Sequence, residues 1–125
     1  IQKMLNNDSV IALTKCEQNR DFLYIDDLLR VYDLMLKSYN NFESYENFYV
    51  GTGKDSNLKE ILEFIKIETS SISKLDYGII PYRNNELMES KNDISKLKNL
   101  GWLSKISILE GLLEVIKFEK NNLKK

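Results

Sequence analysis

Apolar residues recur at intervals of three and four positions in three stretches of the chain. This spacing places them on one face of an α-helix, so each stretch predicts an amphipathic helix. The predicted buried faces are Leu28, Val31, Tyr32 and Met35; Leu58, Ile61, Leu62 and Ile65; and Leu109, Leu112, Leu113 and Ile116. Ile94, Leu97 and Leu100 predict a shorter helix, which Gly101 ends.

Polar residues that accept backbone N–H groups stand where each of these helices is expected to begin. Such caps satisfy donors that the first helical turn leaves unpaired. The predicted caps are Asp26 or Asp27, Asn57 with Glu60, Asp93, and Ser107 with Glu110. The first of these helices is predicted to run from residue 26 to residue 38.

Short apolar runs between the helices predict strands. They cover residues 11–14, 21–25, 48–50 and 75–80, and Pro81 stops the last one. Because helices and strands alternate, the chain is predicted to have an α/β fold. Three or four strands indicate part of a sheet more than a complete one.

Composition limits the classes of function. The 125 residues are 42% hydrophobic and 30% charged, as in one ordinary globular domain. The net charge is −1 with interspersed signs, which argues against a nucleic-acid surface. With no histidine and one cysteine, Cys16, we expect no internal disulfide and no metal site. The single cysteine favours a reducing, cytoplasmic compartment, and the apolar runs are too short to span a membrane.

The stretch Gly51-Thr52-Gly53-Lys54 has the composition of a phosphate-binding loop. A Walker A loop, however, requires another glycine where Phe48 stands. A dinucleotide fingerprint would require a third glycine, which is also missing. We therefore interpret these glycines as a sharp turn between a strand and a helix.

Two arginines and a glutamate carry the remaining candidate chemistry. Arginine makes bidentate contacts to phosphate oxygens, so Arg20 and Arg83 together would suit a pyrophosphate. A carboxylate such as Glu86 can accept hydrogen bonds from the paired hydroxyls of a ribose. From spacing alone, ordinary surface charges are the favoured interpretation of all three residues.

Five segments, which follow the order of a known family pattern along the chain, favour a functional interpretation of these residues. They are Glu17–Asp27 (EQNRDFLYIDD), Phe48–Gly53 (FYVGTG), Ile80–Glu86 (IPYRNNE), Asp93–Trp102 (DISKLKNLGW) and Ser107–Gly111 (SILEG). Together they resemble the extended short-chain dehydrogenase/reductase family. That family contains the nucleotide-sugar 4-epimerases, 4,6-dehydratases and 4-keto-reductases. The finer resemblance is to its CDP-abequose-synthase-like members.

The resemblance implies a fold and a set of roles. It implies incomplete Rossmann-type elements, including the 26–38 helix and the 48–50 strand, plus a small mixed α/β lobe that binds substrate. It implies that Arg20 and Arg83 contact the diphosphate of a nucleotide sugar and that Glu86 contacts its ribose. NAD or NADP would serve the full-length enzyme, and this chain alone would bind neither.

Several parts of the family pattern have no counterpart in the chain. Cys16 stands where the family usually has glycine, and the N-terminal glycine-rich turn is missing. No tyrosine is followed by lysine four residues later, so the Tyr-x-x-x-Lys pair is missing too. We therefore expect residues 1–125 to be a single C-terminal unit without catalytic residues, inactive alone. Its expected partners are a nucleotide-diphosphate sugar, a missing N-terminal Rossmann half, and a second subunit in a homodimeric parent enzyme, without nucleic acid or membrane.

Two other classes of function remain open at this point. The chain could be a free-standing, non-catalytic α/β interaction module, which predicts a self-contained sheet with no exposed apolar edge. It could also be a sugar-nucleotide sensor that keeps both arginines and binds without converting. An enzyme fragment predicts an incomplete sheet with apolar surface that another polypeptide covers.

Overall fold

The computed structural model describes residues 1–42, 44–90 and 92–123. Its elements in chain order are α1 (Gln2–Leu5), β1 (Val10–Leu13), β2 (Asn19–Arg20), α2 (Ile25–Ser38), β3 (Ser56–Asn57), α3 (Leu58–Glu68), β4 (Lys74–Tyr77), α4 (Ser95–Asn99) and α5 (Ile108–Asn122). Helices alternate with strands, so the predicted α/β class is confirmed. The sequence did not predict α1, β2 or β3. Within these ranges, no helix has both the length and the apolar character needed to cross a membrane.

The strands β1 and β4 pair in parallel. Val10 lies opposite Lys74 and Leu13 opposite Tyr77, so each β1 residue faces the residue 64 positions later. The alignment continues past the strands, because Leu13 O accepts from the backbone N–H of both Gly78 and Ile80 at 3.0 Å. The segment after β4 therefore runs beside the segment after β1.

A second, antiparallel pair joins β2 to β3, with Arg20 opposite Ser56. β3 leads directly into α3, and the Asn57 side chain caps that helix as predicted. The N–H of Leu58 donates to Gln18 O at 2.9 Å. The start of α3 is thereby fixed against the segment that carries Arg20.

A hydrophobic core forms between β1, α3 and α5. Its buried members are Met4, Ile11, Ile61, Ile65 and Ile116. The predicted face of α3 is confirmed, since Ile61 and Ile65 are buried and Leu62 packs beside them.

The predicted inward face of α5 is partly wrong. Ile116 is buried, but Leu109 and Leu113 are exposed. Gly111 explains the rotation of the helix, because it packs against Tyr24 so closely that a Cβ there would lie 2.8 Å from the ring. Periodicity alone could not choose between two adjacent apolar rows on this helix.

A second cluster lies under α2. Its buried members are Val31, Leu97 and Trp102, surrounded by Leu23, Leu34, Met35, Phe48 and Val50. Tyr32 was predicted to face inward but is exposed. The helix contacts this cluster through one side only, and Tyr32 lies on the other side.

The other side of α2 is also apolar. Its exposed large side chains are Ile25, Leu29, Tyr32 and Leu36, which repeat at helical spacing. We call these four residues the outer α2 face. No described residue buries them, and a continuous apolar stripe of this kind marks a surface that normally meets another partner.

Two predicted strands are absent from the described structure. Residues 21–25 leave β2 as irregular chain and enter α2, although Phe22 and Leu23 pack into the two cores. Residues 48–50 are likewise irregular. A strand is defined by backbone hydrogen bonds to a neighbour, and the described chain offers neither segment such a neighbour.

The fourth predicted strand is shorter than expected. β4 ends at Tyr77 because Gly78 follows in the left-handed region, with φ +85°. This glycine turns the chain before Pro81 is reached. The strand predicted at 11–14 is confirmed as β1, shifted by one residue.

The helix starts were predicted with mixed success. The capping box of Ser107 and Glu110 is confirmed at the start of α5. For α2 the predicted cap was wrong: its N-cap is Tyr24, which places Asp26 and Asp27 inside the first turn. Carboxylates in that turn still favour the positive end of the helix dipole.

The short helix α4 ends as its sequence predicts, but its N-cap is Ile94 and not the predicted Asp93. The Asp93 carboxylate accepts the Ser95 N–H at 3.0 Å, and hydrogen bonds from Ser95 lower the pKa of Asp93. Gly101 ends the helix with φ +81°. Leu97 on this helix and Trp102 just after it pack in the second cluster.

The Gly-Thr-Gly turn closes around a side-chain carboxylate. Asp21 accepts from Thr52 N at 2.8 Å, from Thr52 Oγ1 at 2.5 Å and from Gly53 N at 2.9 Å. A Cβ on Gly51 would collide with the Asp21 carboxylate. The glycine is therefore required by a close approach, and Asp21 ties residues 51–53 to the chain after β2.

We predict that Asp21→Asn lowers the free energy of unfolding by about 2 kcal/mol, because hydrogen bonds to a charged acceptor contribute about 1.5–3 kcal/mol. The amide offers one acceptor oxygen and directs its NH2 group at backbone donors. Urea unfolding measures the change. Asp33→Asn is the control, because its ion pair with Lys37 is exposed and worth little. Equal stability of the two variants would contradict the role given to Asp21.

Candidate functional site

Arg20 and Glu86 form an ion pair across the chain. Arg20 Nη2 donates to Glu86 Oε1 at 2.6 Å, and the two side chains are 27% and 21% exposed. Gln18 Nε2 donates to the same oxygen at 3.2 Å. The ion pair is therefore accessible to solvent, and the buried Gln18 amide donates a further hydrogen bond to Glu86.

The parallel register of β1 and β4 explains why residues 66 positions apart meet. Beyond the strands, the Tyr82 hydroxyl accepts from Glu17 N at 3.0 Å, and Asn19 N donates to Met88 O at 2.8 Å. These bonds hold residues 78–88 along residues 13–20. Glu86 is consequently presented to Arg20 by backbone alignment.

Arg83 lies in the same turn as Glu86. The Glu86 N–H donates to Arg83 O at 3.1 Å, and the Arg83 side chain is exposed. The structure thus brings Arg20 and Glu86 into direct contact. Arg83 lies three residues before Glu86 in the same turn. Sequence reasoning overlooked Gln18, whose only signal was its position two residues before Arg20.

Two backbone donors of the turn at residues 51–53 are already paired within the chain. The backbone N–H groups of Thr52 and Gly53 point at the Asp21 carboxylate. An anionic side chain already occupies the position that a cofactor pyrophosphate would need. The Asp21 carboxylate therefore makes the Gly-Thr-Gly turn part of the scaffold.

A second carboxylate, Asp27, is fully buried. Its Oδ2 accepts from Lys105 N at 3.0 Å and from Ile106 N at 3.1 Å, and its other oxygen pairs with Arg30. These contacts fasten the chain before α5 to the first turn of α2. Asp27 therefore orders the scaffold and is not accessible to a ligand.

Between these two carboxylate anchors lies an open cavity of about 350 Å³. Phe22, Thr52, Ser56 and the lysines Lys54 and Lys105 line it. Ser56 is the residue that pairs with Arg20 in the antiparallel strands. The cavity therefore borders the strand that carries Arg20, although Arg20 itself is not among its walls.

Tyr77 has the opposite of the properties expected of a catalytic tyrosine. Burial, reinforced by a 2.8 Å hydrogen bond to Glu63 Oε1, raises the pKa of Tyr77 far above its ordinary value. An acid/base tyrosine needs a pKa shifted toward neutrality. Tyr77 therefore stays protonated and serves the scaffold, with Lys59 Nζ 4.8 Å from its ring centroid.

The described residues contain no group of three or more potential acidic, cysteine or histidine ligands that could hold a metal ion. The guanidinium of Arg20 and the carboxylate of Glu86 form a partly exposed ion pair. Such a pair recognises phosphate or hydroxyl groups and does not by itself transfer a proton or a hydride.

Solved structures share the fold of this chain over most of its length. A UDP-glucose 4-epimerase from Thermotoga maritima, solved with UDP-glucose, superposes with a TM-score of 0.80 at 28% identity, covering 98% of this chain and 38% of that one. RMD from Pseudomonas aeruginosa, complexed with NADPH, gives a TM-score of 0.81 at 17% identity over 97% and 40%. The chain is therefore a partial Rossmann-type α/β fold.

Sequence comparison agrees with the fold. A CDP-abequose synthase from Salmonella muenchen is 42% identical over 96% of this chain, and a putative UDP-glucose 4-epimerase from Methanocaldococcus jannaschii is 34% identical over 98%. The chain spans about 40% of the length of these curated relatives. Residues 1–51 match the model of the NAD dependent epimerase/dehydratase family. Over nearly its whole length the chain is therefore similar to part of an extended short-chain dehydrogenase/reductase.

Proposed function

We propose that this chain is the C-terminal, sugar-nucleotide-binding part of an NAD(P)-dependent nucleotide-sugar epimerase, dehydratase or reductase. Residues 1–125 act as one unit in this proposal, within a cytoplasmic enzyme of surface-polysaccharide sugar biosynthesis. The observation that carries it is the contact between Arg20 and Glu86, with Arg83 in the same turn.

The binding chemistry follows from the side chains. Arg20 and Arg83 hold the two phosphates, because a guanidinium matches phosphate geometry with parallel N–H donors. Glu86 accepts from the ribose hydroxyls. The partial exposure of Arg20 and Glu86 leaves both side-chain ends accessible to a ligand, while the Arg20 backbone is fixed by its pairing with Ser56.

This binding contributes to the rate of the whole enzyme as well as to affinity. Contacts to the nucleotide are remote from the reacting sugar carbon, and such binding energy can be used to orient the reacting centre. The chain itself supplies no acid, base or nucleophile in this proposal. The NAD or NADP of the full-length enzyme, which supplies hydride transfer, is bound by another part of the polypeptide.

The outer α2 face supports a missing N-terminal Rossmann half. Ile25, Leu29, Tyr32 and Leu36 form an apolar stripe that the described chain leaves exposed. Residues 48–50 have the composition of a strand but no neighbour to pair with. Both features are explained if a further sheet layer of the parent enzyme, itself a homodimer, packs against this side.

A free-standing interaction module fits these observations less well. It would have a self-contained sheet, whereas β1 and β4 form a two-stranded parallel pair within the described ranges. Parallel sheets are normally larger and covered on both faces. A sensor that only binds sugar nucleotides would use the same residues, Arg20, Arg83 and Glu86. Turnover by the longer protein would distinguish an enzyme from such a sensor.

We predict that Arg20→Ala and Arg83→Ala each weaken binding of UDP-glucose or of a CDP-sugar by about 10- to 100-fold, since a hydrogen-bonded charge contributes about 1.5–3 kcal/mol. Isothermal titration calorimetry measures the change. Lys37→Ala is the control, because it removes one positive charge from an exposed ion pair on α2. If both arginine variants bind like the unaltered chain, the diphosphate assignment is wrong.

The chain alone is expected to show no conversion of a sugar nucleotide with NAD or NADP. The reason is that the proposal places the cofactor site and the acid/base residues outside residues 1–125. Following NAD(P)H absorbance and separating the sugar nucleotides by chromatography test this. Turnover by the purified chain would refute the placement of the catalytic residues outside residues 1–125, even if the arginines bind the diphosphate as proposed.

The outer α2 face is expected to drive self-association of the isolated chain. Replacing Leu29 and Leu36 together by lysine should shift sedimentation toward the monomer, because charges then interrupt the apolar stripe. Ile67→Lys is the matched control: Ile67 on α3 is 71% exposed, against 74% for Leu36. A chain that sediments identically with and without the double substitution contradicts this role for α2.

A further inference from the structure

Gln18 is a buried amide beside the Arg20–Glu86 pair. The residue is 5% exposed, and its Nε2 donates to Glu86 Oε1 at 3.2 Å. Its backbone is fixed, because Gln18 O accepts the Leu58 N–H at the start of α3. Unlike the arginine and the glutamate, Gln18 is held in place by both its burial and its backbone.

The amide carries an energetic cost. Gln18 Oε1 is buried, and none of the described residues donates a hydrogen bond to it. Leaving a buried acceptor unpaired costs about 1–3 kcal/mol. An apolar side chain of the same length would avoid this cost, so the feature that distinguishes glutamine here is its N–H donor to Glu86.

Glu86 Oε1 is shared between two donors of different kinds. Arg20 Nη2, at 2.6 Å, belongs to the guanidinium that the proposed function assigns to the diphosphate. When a phosphate oxygen takes that guanidinium, it also repels the nearby Glu86 carboxylate, since both are negative. The Gln18 N–H is neutral, does not compete for the phosphate, and remains available to Glu86.

We propose that Gln18 is a positioning residue that holds the Glu86 carboxylate in place for the ribose hydroxyls once the diphosphate has engaged Arg20. The inference rests on the proposed function and adds a division of roles to it. Arg20 exchanges its internal carboxylate partner for the ligand. Gln18 keeps that carboxylate from swinging away, so the ribose contact survives the exchange.

The test compares ligands with and without a ribose on the whole chain. Gln18→Met removes the donor and keeps the side-chain length, and titration calorimetry is run with UDP, CDP and inorganic pyrophosphate. We expect nucleotide binding to weaken about tenfold, the effect of one hydrogen bond to a charged group. Pyrophosphate binding should stay unchanged, because it does not use Glu86.

The chain offers a matched control. Gln2 Nε2 donates to Glu119 Oε2 at 2.9 Å in an exposed pair near the ends of the chain. Gln2→Met therefore removes the same type of hydrogen bond away from the site and should leave binding of all three ligands unchanged. If Gln18→Met unfolds by circular dichroism, Gln18→Leu replaces it, and Glu86→Gln should reproduce the loss for nucleotides with pyrophosphate binding retained.

The possible outcomes separate the two proposals. Nucleotide binding that depends on Arg20 but is untouched by Gln18→Met overturns the positioning role and leaves the proposed function intact. An equal loss for nucleotides and pyrophosphate also overturns it, because the effect would then be structural. An unaltered chain that binds neither nucleotide nor pyrophosphate contradicts the proposed function, and the role of Gln18 falls with it.

Discussion

The parallel pairing of β1 with β4 is the constraint on which the candidate site depends. Its register sets residues 10–13 opposite residues 74–77, and the same alignment carries on through the irregular segments that follow. Two charged side chains far apart in sequence thereby meet without either being buried in the core. A shift of the register by one residue would move every side chain to the opposite face, so Arg20 and Glu86 can meet only if this sheet forms correctly.

Two internal carboxylates in the segment after β2 accept backbone N–H groups from distant parts of the chain. Asp21 takes the N–H groups of the Gly-Thr-Gly turn, and Asp27 takes those before α5. Both sites look from sequence like positions where an external anion or a helix cap belongs. Because acidic side chains already accept these N–H groups, the same donors are not available to an external anion. In the proposed function, the turn and the helix start therefore serve as scaffold, and Arg20 and its neighbours bind the ligand.

The local signals at Ser107 and along α3 were read correctly from the sequence, whereas the cap of α2 and the signals that depend on a neighbour were not. The capping box of Ser107 and the buried face of α3 were predicted because both are encoded within one or two helical turns. The strand at 48–50 was wrong because pairing requires a partner outside the segment. Tyr32 was misplaced because an apolar residue on a helix does not reveal which neighbour covers it. The contact of Gln18 with Glu86 needed the long-range register, which no local pattern contains.

The misassigned strand at residues 48–50 and the exposed outer α2 face have one physical explanation. Val50 and Val31 pack in the same cluster with Trp102, so the chain covers one side of both segments. The described residues do not pair with the backbone of 48–50 as a neighbouring strand would. They also do not bury the opposite side of α2. A sheet layer supplies both at once, since a strand edge pairs with the backbone while its neighbouring layer covers the helix. In the proposed function, the strand-like composition of 48–50 and the second apolar stripe of α2 are both matched to a further sheet layer of the longer enzyme.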